Sequence, residues 1–204
     1  MASLFMSGNA VDSAMVYYAK AAGLATDSAV ARTYYKKLAD LSGSLKDYAG
    51  QARWLGHYYQ GNDRATNLDL FNWGLASFRA EDYQMADSVF GMYVTKYPEQ
   101  AFGYYWQARS NAMIDKEMTT GLAVPHYQKL VEVLQKDTAN ANYKTWLSQA
   151  YGYLAAYEAN TEKDYPEAIG YFEKVLEVDP ANADAKKYIE VLEKRVSEDG
   201  KGTK

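Results

Sequence analysis

Cysteine is absent from the 204-residue sequence, which removes disulfides, thiolate metal sites and cysteine nucleophiles together and leaves the compartment open. Only 4 Pro and 14 Gly occur. The glycines fall mostly between helix-like stretches, so the turn punctuation of a many-stranded β protein is missing and helices are the expected elements. Histidine is limited to His57 and His126. Neither belongs to a His-x-x-x-His or His-Glu-x-x-His arrangement, so no metal site is expected. No stretch reaches about 18 consecutive apolar residues, so no transmembrane segment is expected. A basic face is also lacking: 22 Lys and Arg are spread among 26 Asp and Glu, for a net charge of -4. Nucleic acid is therefore not an expected partner. The opening Met1-Ala2-Ser3-Leu4-Phe5-Met6-Ser7-Gly8 has no basic region and too short an apolar run for a signal peptide. An envelope or periplasmic location is expected if an upstream signal has been removed, and a cytoplasmic one otherwise.

Catalytic patterns are equally scarce. Ser42-Gly43-Ser44 near Lys46 lacks the Gly-rich run, the Gly-Lys-Ser/Thr ending and the preceding strand of a phosphate loop, and reads as a hairpin turn. Glu81-Asp82 and Glu162 with Asp164 sit in polar turns, where solvated capping residues are commoner than acid-base pairs. No catalysis and no cofactor are expected.

What is present is a repeat. Lys46-Asp47-Tyr48, Glu81-Asp82-Tyr83 and Lys163-Asp164-Tyr165 each join a polar turn to an aromatic residue, with a small residue soon after. The first two Tyr lie 35 residues apart and the third 82 further on, leaving room for one expanded repeat between them. Leu38-Ala39, Trp73-Gly74 and Leu154-Ala155, a large residue followed by a small one, stand about ten residues before those Tyr and would let two helices approach closely. Each unit reads as two apolar-periodic segments joined by a short turn, an antiparallel helix hairpin. Pro98 and Pro180 close two of the second helices. The spacing predicts the second half of a first repeat at about 9–25, hairpins at 28–62, 67–98, 99–137 and 142–179, a capping helix at 182–196 and a disordered tail at 197–204. Residues 1–196 are expected to form a single domain.

The period, the large-small pair, the Asp-Tyr turn, the Ala and Phe of the second helix and the closing Pro together resemble the tetratricopeptide repeat, whose period is about 34 residues. The resemblance covers nearly the whole chain and suits a tyrosine-rich bacterial type. It is most complete at Trp73, Gly74, Tyr83, Ala86, Phe90 and Pro98, and at Leu154, Ala155, Tyr165, Ala168, Phe172 and Pro180. The fourth repeat departs from it, with a long turn from Met113 to Gly121 and Pro125 early in its second helix. The first lacks its opening helix, residues 1–8 reading as a remnant, so the chain is expected to be a carboxy-terminal portion of a longer repeat protein. The resemblance implies an all-α fold, a right-handed α-solenoid of antiparallel hairpins with a C-terminal capping helix.

It also implies a function. Ligands of the family lie along the concave groove lined by the first helix of each hairpin, and the residues offset from the packing positions are Lys36, Asp40, Phe71, Leu75, Phe78, Arg79, Tyr105, Arg109 and Met113. Aromatic surface with two guanidinium groups suits apolar anchors together with carboxylates or backbone carbonyls. The family's clamp on a partner's terminal carboxylate is disfavoured, because Asp40 stands where Asn is expected and Leu68 where Lys is. The chain is thus expected to be a non-catalytic scaffold for a protein or peptide partner. The alternative rests on 20 Tyr, 4 Trp and 6 Phe: a glycan or small-ligand binder of the cell envelope. Tyr48, Tyr83, Phe90, Tyr127, Tyr165 and Phe172 are expected to fill spaces between helices.

Overall fold

The computed structural model describes residues 11–139 and 142–199. Among them are ten α-helices and no strand. The chain divides between Tyr97 and Pro98 into two compact units. The proposed remnant at residues 1–8 and the end of the tail lie outside the described residues.

The first unit holds α1 (Val11–Leu24), α2 (Ser28–Ser44), α3 (Tyr48–Tyr59), α4 (Asn67–Arg79) and α5 (Tyr83–Lys96). Their starts are written in short polar side chains that satisfy amide groups left free in the first turn. Asp27, Asp47 and Asp82 accept from the backbone N–H of Ala29 (2.7 Å), Gly50 (2.9 Å) and Met85 (3.1 Å). Thr66 and Asp69 form a reciprocal capping box at α4. The Asp-Tyr turn now has a mechanism. Lys46 (φ 59°) and Glu81 (φ 62°) adopt the left-handed conformation, and the next N–H groups, of Asp47 and Asp82, reach back to the carbonyls of Ser42 (2.9 Å) and Ser77 (3.0 Å). One Asp therefore helps close the outgoing helix through its amide and caps the incoming one through its carboxylate.

Packing follows the large-small pairs. Leu38 and Ala39 are fully buried, and Leu38 and Leu41 join Ala14 and Tyr18 of α1 in one cluster. At Gly74 a Cβ would stand 2.7 Å from the Phe90 ring, so only Gly allows α4 to lie this close to α5.

The second unit holds α6 (Ala101–Ile114), α7 (Val124–Lys136), α8 (Tyr143–Tyr157), α9 (Tyr165–Val178) and α10 (Ala183–Asp199). Its core includes Ala108, Leu130, Leu134, Leu147, Ala155 and Ala168, all nearly inaccessible. The long α6–α7 connection is organised by the buried Asp115. Its carboxylate accepts from the backbone N–H and hydroxyl of Thr119 (2.9 and 3.1 Å), those of Thr120 (3.0 and 2.8 Å) and the N–H of Leu122 (3.3 Å). Burial alone would raise the Asp115 carboxyl, but these donors outweigh it and hold it well below the ordinary carboxylate range. α8 runs on into a π-helical turn, Glu158–Glu162, before Lys163 (φ 62°) repeats the left-handed turn and Asp164 caps α9 by accepting from Glu167 N–H (3.0 Å). α10 extends through Asp199, into the segment read as tail from 197.

Candidate functional site

In the first unit, the offset face of the first helices carries Lys36 and Asp40 on α2, and Phe71, Leu75, Phe78 and Arg79 on α4. Lys36 Nζ lies 2.8 Å from Asp69 Oδ1, so this cation is tied to α4. Burial pushes the Asp69 carboxyl up; the hydrogen bonds from Lys36 and from the amide and hydroxyl of Thr66 outweigh that and hold it below its ordinary value. Asp40 is exposed. Phe71 is half-buried with its ring edge against Phe90 and Tyr93, at 6.0 and 6.3 Å between centroids. Phe78 packs edge-on against Tyr83 (5.2 Å), and the exposed Arg79 guanidinium lies 5.6 Å from the Tyr48 ring centroid. Leu75 is half-buried.

In the second unit, Tyr105 is buried. Its ring stacks on Trp146 of α8 at 4.3 Å with planes 11° apart, and its hydroxyl donates to Gln149 Oε1 (2.8 Å). This residue ties α6 to α8. Arg109, half-buried, spreads its guanidinium over Trp106 (4.6 Å) and Tyr105 (5.4 Å). Met113, one turn on, is half-buried.

An enclosed opening of this unit contains none of these residues. It is a cavity of about 470 Å³ between α8, α9 and α10. Ser148, Gly152, Ala156 and Ala159 form one wall, Phe172 and Val175 the floor, and Tyr188, Val191 and Leu192 of α10 the other wall. Side chains as small as these on α8 cannot fill the space opposite α10, and a Cβ at Gly152 would meet nothing within 4 Å. The Ser148 hydroxyl oxygen is buried there without a hydrogen-bond partner, whereas Ser77 and Ser110 return theirs to the carbonyls of Trp73 and Trp106. Arg195 closes one end, 5.7 Å above the Tyr165 ring. Asp184 and Asn182 mark the other. Arg195 over Tyr165 repeats Arg79 over Tyr48: in each unit the turn Tyr of one hairpin receives an Arg from the next first helix.

Helix hairpins in series, three of them closed by the same left-handed Asp-Tyr turn, have counterparts among solved structures. The C-terminal part of a TPR repeat-containing protein from Cytophaga hutchinsonii matches with a TM-score of 0.71 at 24% identity, over 92% of this chain and 70% of that one. The chain has the tetratricopeptide-repeat fold. A MamA RS-1 double mutant matches with a TM-score of 0.60 at 16% identity, over 81% of this chain and 85% of that one. YrrB, described as a TPR protein with an unusual peptide-binding site, matches with a TM-score of 0.55 at 18% identity, over 91% of this chain and 87% of that one. No family model matches the sequence, and no curated protein matches it closely enough to count as a relative.

On the tetratricopeptide-repeat fold, α8 and α10 are first helices, as α2, α4 and α6 are. Their cavity residues were not singled out because small side chains bring no binding chemistry of their own and α10 reads as a cap. Applying to Leu154-Ala155 the offset that picked Phe71 and Leu75 beside Trp73-Gly74 gives Gly152 and Ala156. The aromatic residues expected between helices divide: Phe90, Tyr127 and Phe172 are buried, while Tyr48, Tyr83 and Tyr165 are half-buried at the turns. Many rings face each other, as in the Tyr127–Tyr153 stack at 4.5 Å and the Phe172–Tyr188 stack at 5.2 Å. Among the described residues no group of His, Cys, Asp and Glu stands together as a metal site, and no helix is long and apolar enough to cross a membrane.

Proposed function

We propose that the chain is a non-catalytic scaffold that holds an extended or helical segment of a partner protein against its first helices. The observation that carries this reading is the 470 Å³ cavity between α8 and α10. Its size suits one or two bulky apolar side chains, and the cation of Arg195 and the anion of Asp184 at its two ends give a bound segment direction. In this reading Arg109 and Met113 extend the surface of the second unit, with Tyr105 as the support beneath Arg109. Asp40, Phe71, Leu75, Phe78 and Arg79, with Lys36 at the edge, offer a like surface on the first. The peptide-binding site named for YrrB accords with such a role.

Selection of a random peptide library on the intact chain tests it. Enriched peptides are expected to share a bulky apolar residue, and Gly152→Leu, whose Cβ meets nothing within 4 Å and whose side chain occupies the cavity, is expected to weaken them by about tenfold or more. Failure to enrich any peptide, or equal binding by the Gly152→Leu chain, removes the reading.

A further inference from the structure

We propose a second binding site in the first unit: the cationic cavity between α2 and the α3–α4 connection takes an acidic peptide segment. This inference stands apart from the cavity of the second unit, and either can fail while the other holds.

The cavity has a volume of about 730 Å³. One wall is a single face of α2, where Ala29, Arg32, Thr33, Lys36 and Lys37 recur at helical spacing. The other is the end of α3 and the turn after it, with Tyr58, Gly61 and Arg64. Four cations therefore line one opening in a chain whose net charge is -4. The opposing charges are few. Asp63 lies in the lining, Asp69 neutralises Lys36, and Asp40 stands one turn further along α2. Among the described residues neither Lys37 nor Arg64 pairs with a carboxylate.

The cavity is also pre-organised. The Arg32 guanidinium donates to the Gly61 carbonyl and ties the turn to α2. Gly61 holds the left-handed backbone (φ 61°), and Asn62 Oδ1 accepts from Arg64 N–H (3.2 Å), which fixes where Arg64 leaves the turn. Lys36 and Lys37 lie 5.1 and 5.2 Å from the centroids of Tyr58 and Tyr18, so their stems are supported by rings. Cations held in place lose less side-chain entropy on pairing than free ones.

The occupant follows from charge and length. Residues 29 to 37 of α2 span about 12 Å, the reach of about four extended residues, in which alternate side chains lie on one side about 7 Å apart. Two carboxylates of such a segment are to pair with Lys37 and Arg64, with the Tyr58 ring and the Ala29 methyl as the apolar part of the lining. A polynucleotide fits less well, because phosphates beyond the cavity would meet the rest of a chain whose net charge is -4.

Fluorescence anisotropy on the intact chain decides, with labelled hexaglutamate, hexaglutamine and hexathymidylate as probes. Hexaglutamate is expected to bind, and more weakly as salt rises. Lys37→Glu with Arg64→Glu is expected to weaken it about tenfold or more. Lys37→Gln with Arg64→Gln, which adds no repulsion, is expected to weaken it about threefold or more. Lys186→Glu with Lys187→Glu on α10, the same change of net charge elsewhere, is expected to leave it nearly unaltered. The proposal is overturned by no binding, by equal binding of hexaglutamine, by tighter binding of hexathymidylate, or by equal losses at the two reversed pairs.

Discussion

Lys36 of α2 and Asp69 of α4 meet at 2.8 Å, and the same carboxylate accepts from the amide and hydroxyl of Thr66, so one side chain both caps a helix and joins two hairpins. Asp69→Asn is expected to lower stability by about 1–3 kcal/mol, more than Lys36→Met, because it disturbs the cap as well as the pair. The folded carboxyl titrates below its unfolded value. The stability it contributes is thus complete above the ordinary Asp pKa of about 3.9 and is lost as pH falls through the lowered folded value. Chemical denaturation at neutral and acid pH checks this: the gap between wild type and Asp69→Asn should narrow in acid, and a constant gap would refute the assignment.

Two Gly→Ala substitutions in helix interiors should have opposite signs. At Gly74 the new methyl meets the Phe90 ring at 2.7 Å, and a loss of about 1–3 kcal/mol is expected. At Gly152 it meets nothing within 4 Å, and a gain of about 0.4–1 kcal/mol is expected from reduced freedom of the unfolded chain. Thermal melts of the two single variants decide, and the same sign in both would contradict the packing described.

Tyr105→Ala should act on folding before it acts on any ligand. Its buried ring and its bond to Gln149 hold α8 against α6, and truncation is expected to cost about 3–5 kcal/mol. Quenching or shift of Trp146 fluorescence should report the change. A variant that melts like wild type but loses a peptide would instead make Tyr105 a contact residue.

Burial pushes the Tyr153 phenol up to about 12, with Asp115 adding to the effect, and raises its stacking partner Tyr127 further still. For a phenol raised on folding, stability is complete below the ordinary Tyr pKa of about 10 and is lost as pH rises through the folded value. Ultraviolet titration should therefore show exposed tyrosines ionising first and a later step coincident with loss of helical circular dichroism. Tyr153→Phe should move that later step upward.

The hairpins were legible because their signals are local: the large-small pair, the capping Asp and the closing Pro each act within a turn or two of themselves. Where tertiary partners decide, sequence reasoning stopped short. Tyr105 occupies a groove register, yet Trp146, over 40 residues away, takes its ring face. Lys36 shares that register, yet Asp69 holds its charge. The π turn at Glu158–Glu162 has no propensity signature distinct from an ordinary helix end. Gly152 and Ala156 carry no signal in the sequence because a cavity is made by what side chains lack. The cationic cavity escaped because Arg64, with Asp40, Asp47 and Asp63 between it and Lys37 along the chain, joins Arg32, Lys36 and Lys37 only when the α3–α4 turn folds back on α2.

The Asp115 carboxylate has a consequence for the order in which the second unit forms. Each donor it gathers lies within seven residues of it, so the α6–α7 connection closes over a short loop, a step on the scale of tens of nanoseconds with a small entropic cost. The longest link in the unit is thereby shortened kinetically: α7 is delivered to α6 by a preassembled corner rather than found by diffusion across a slack chain.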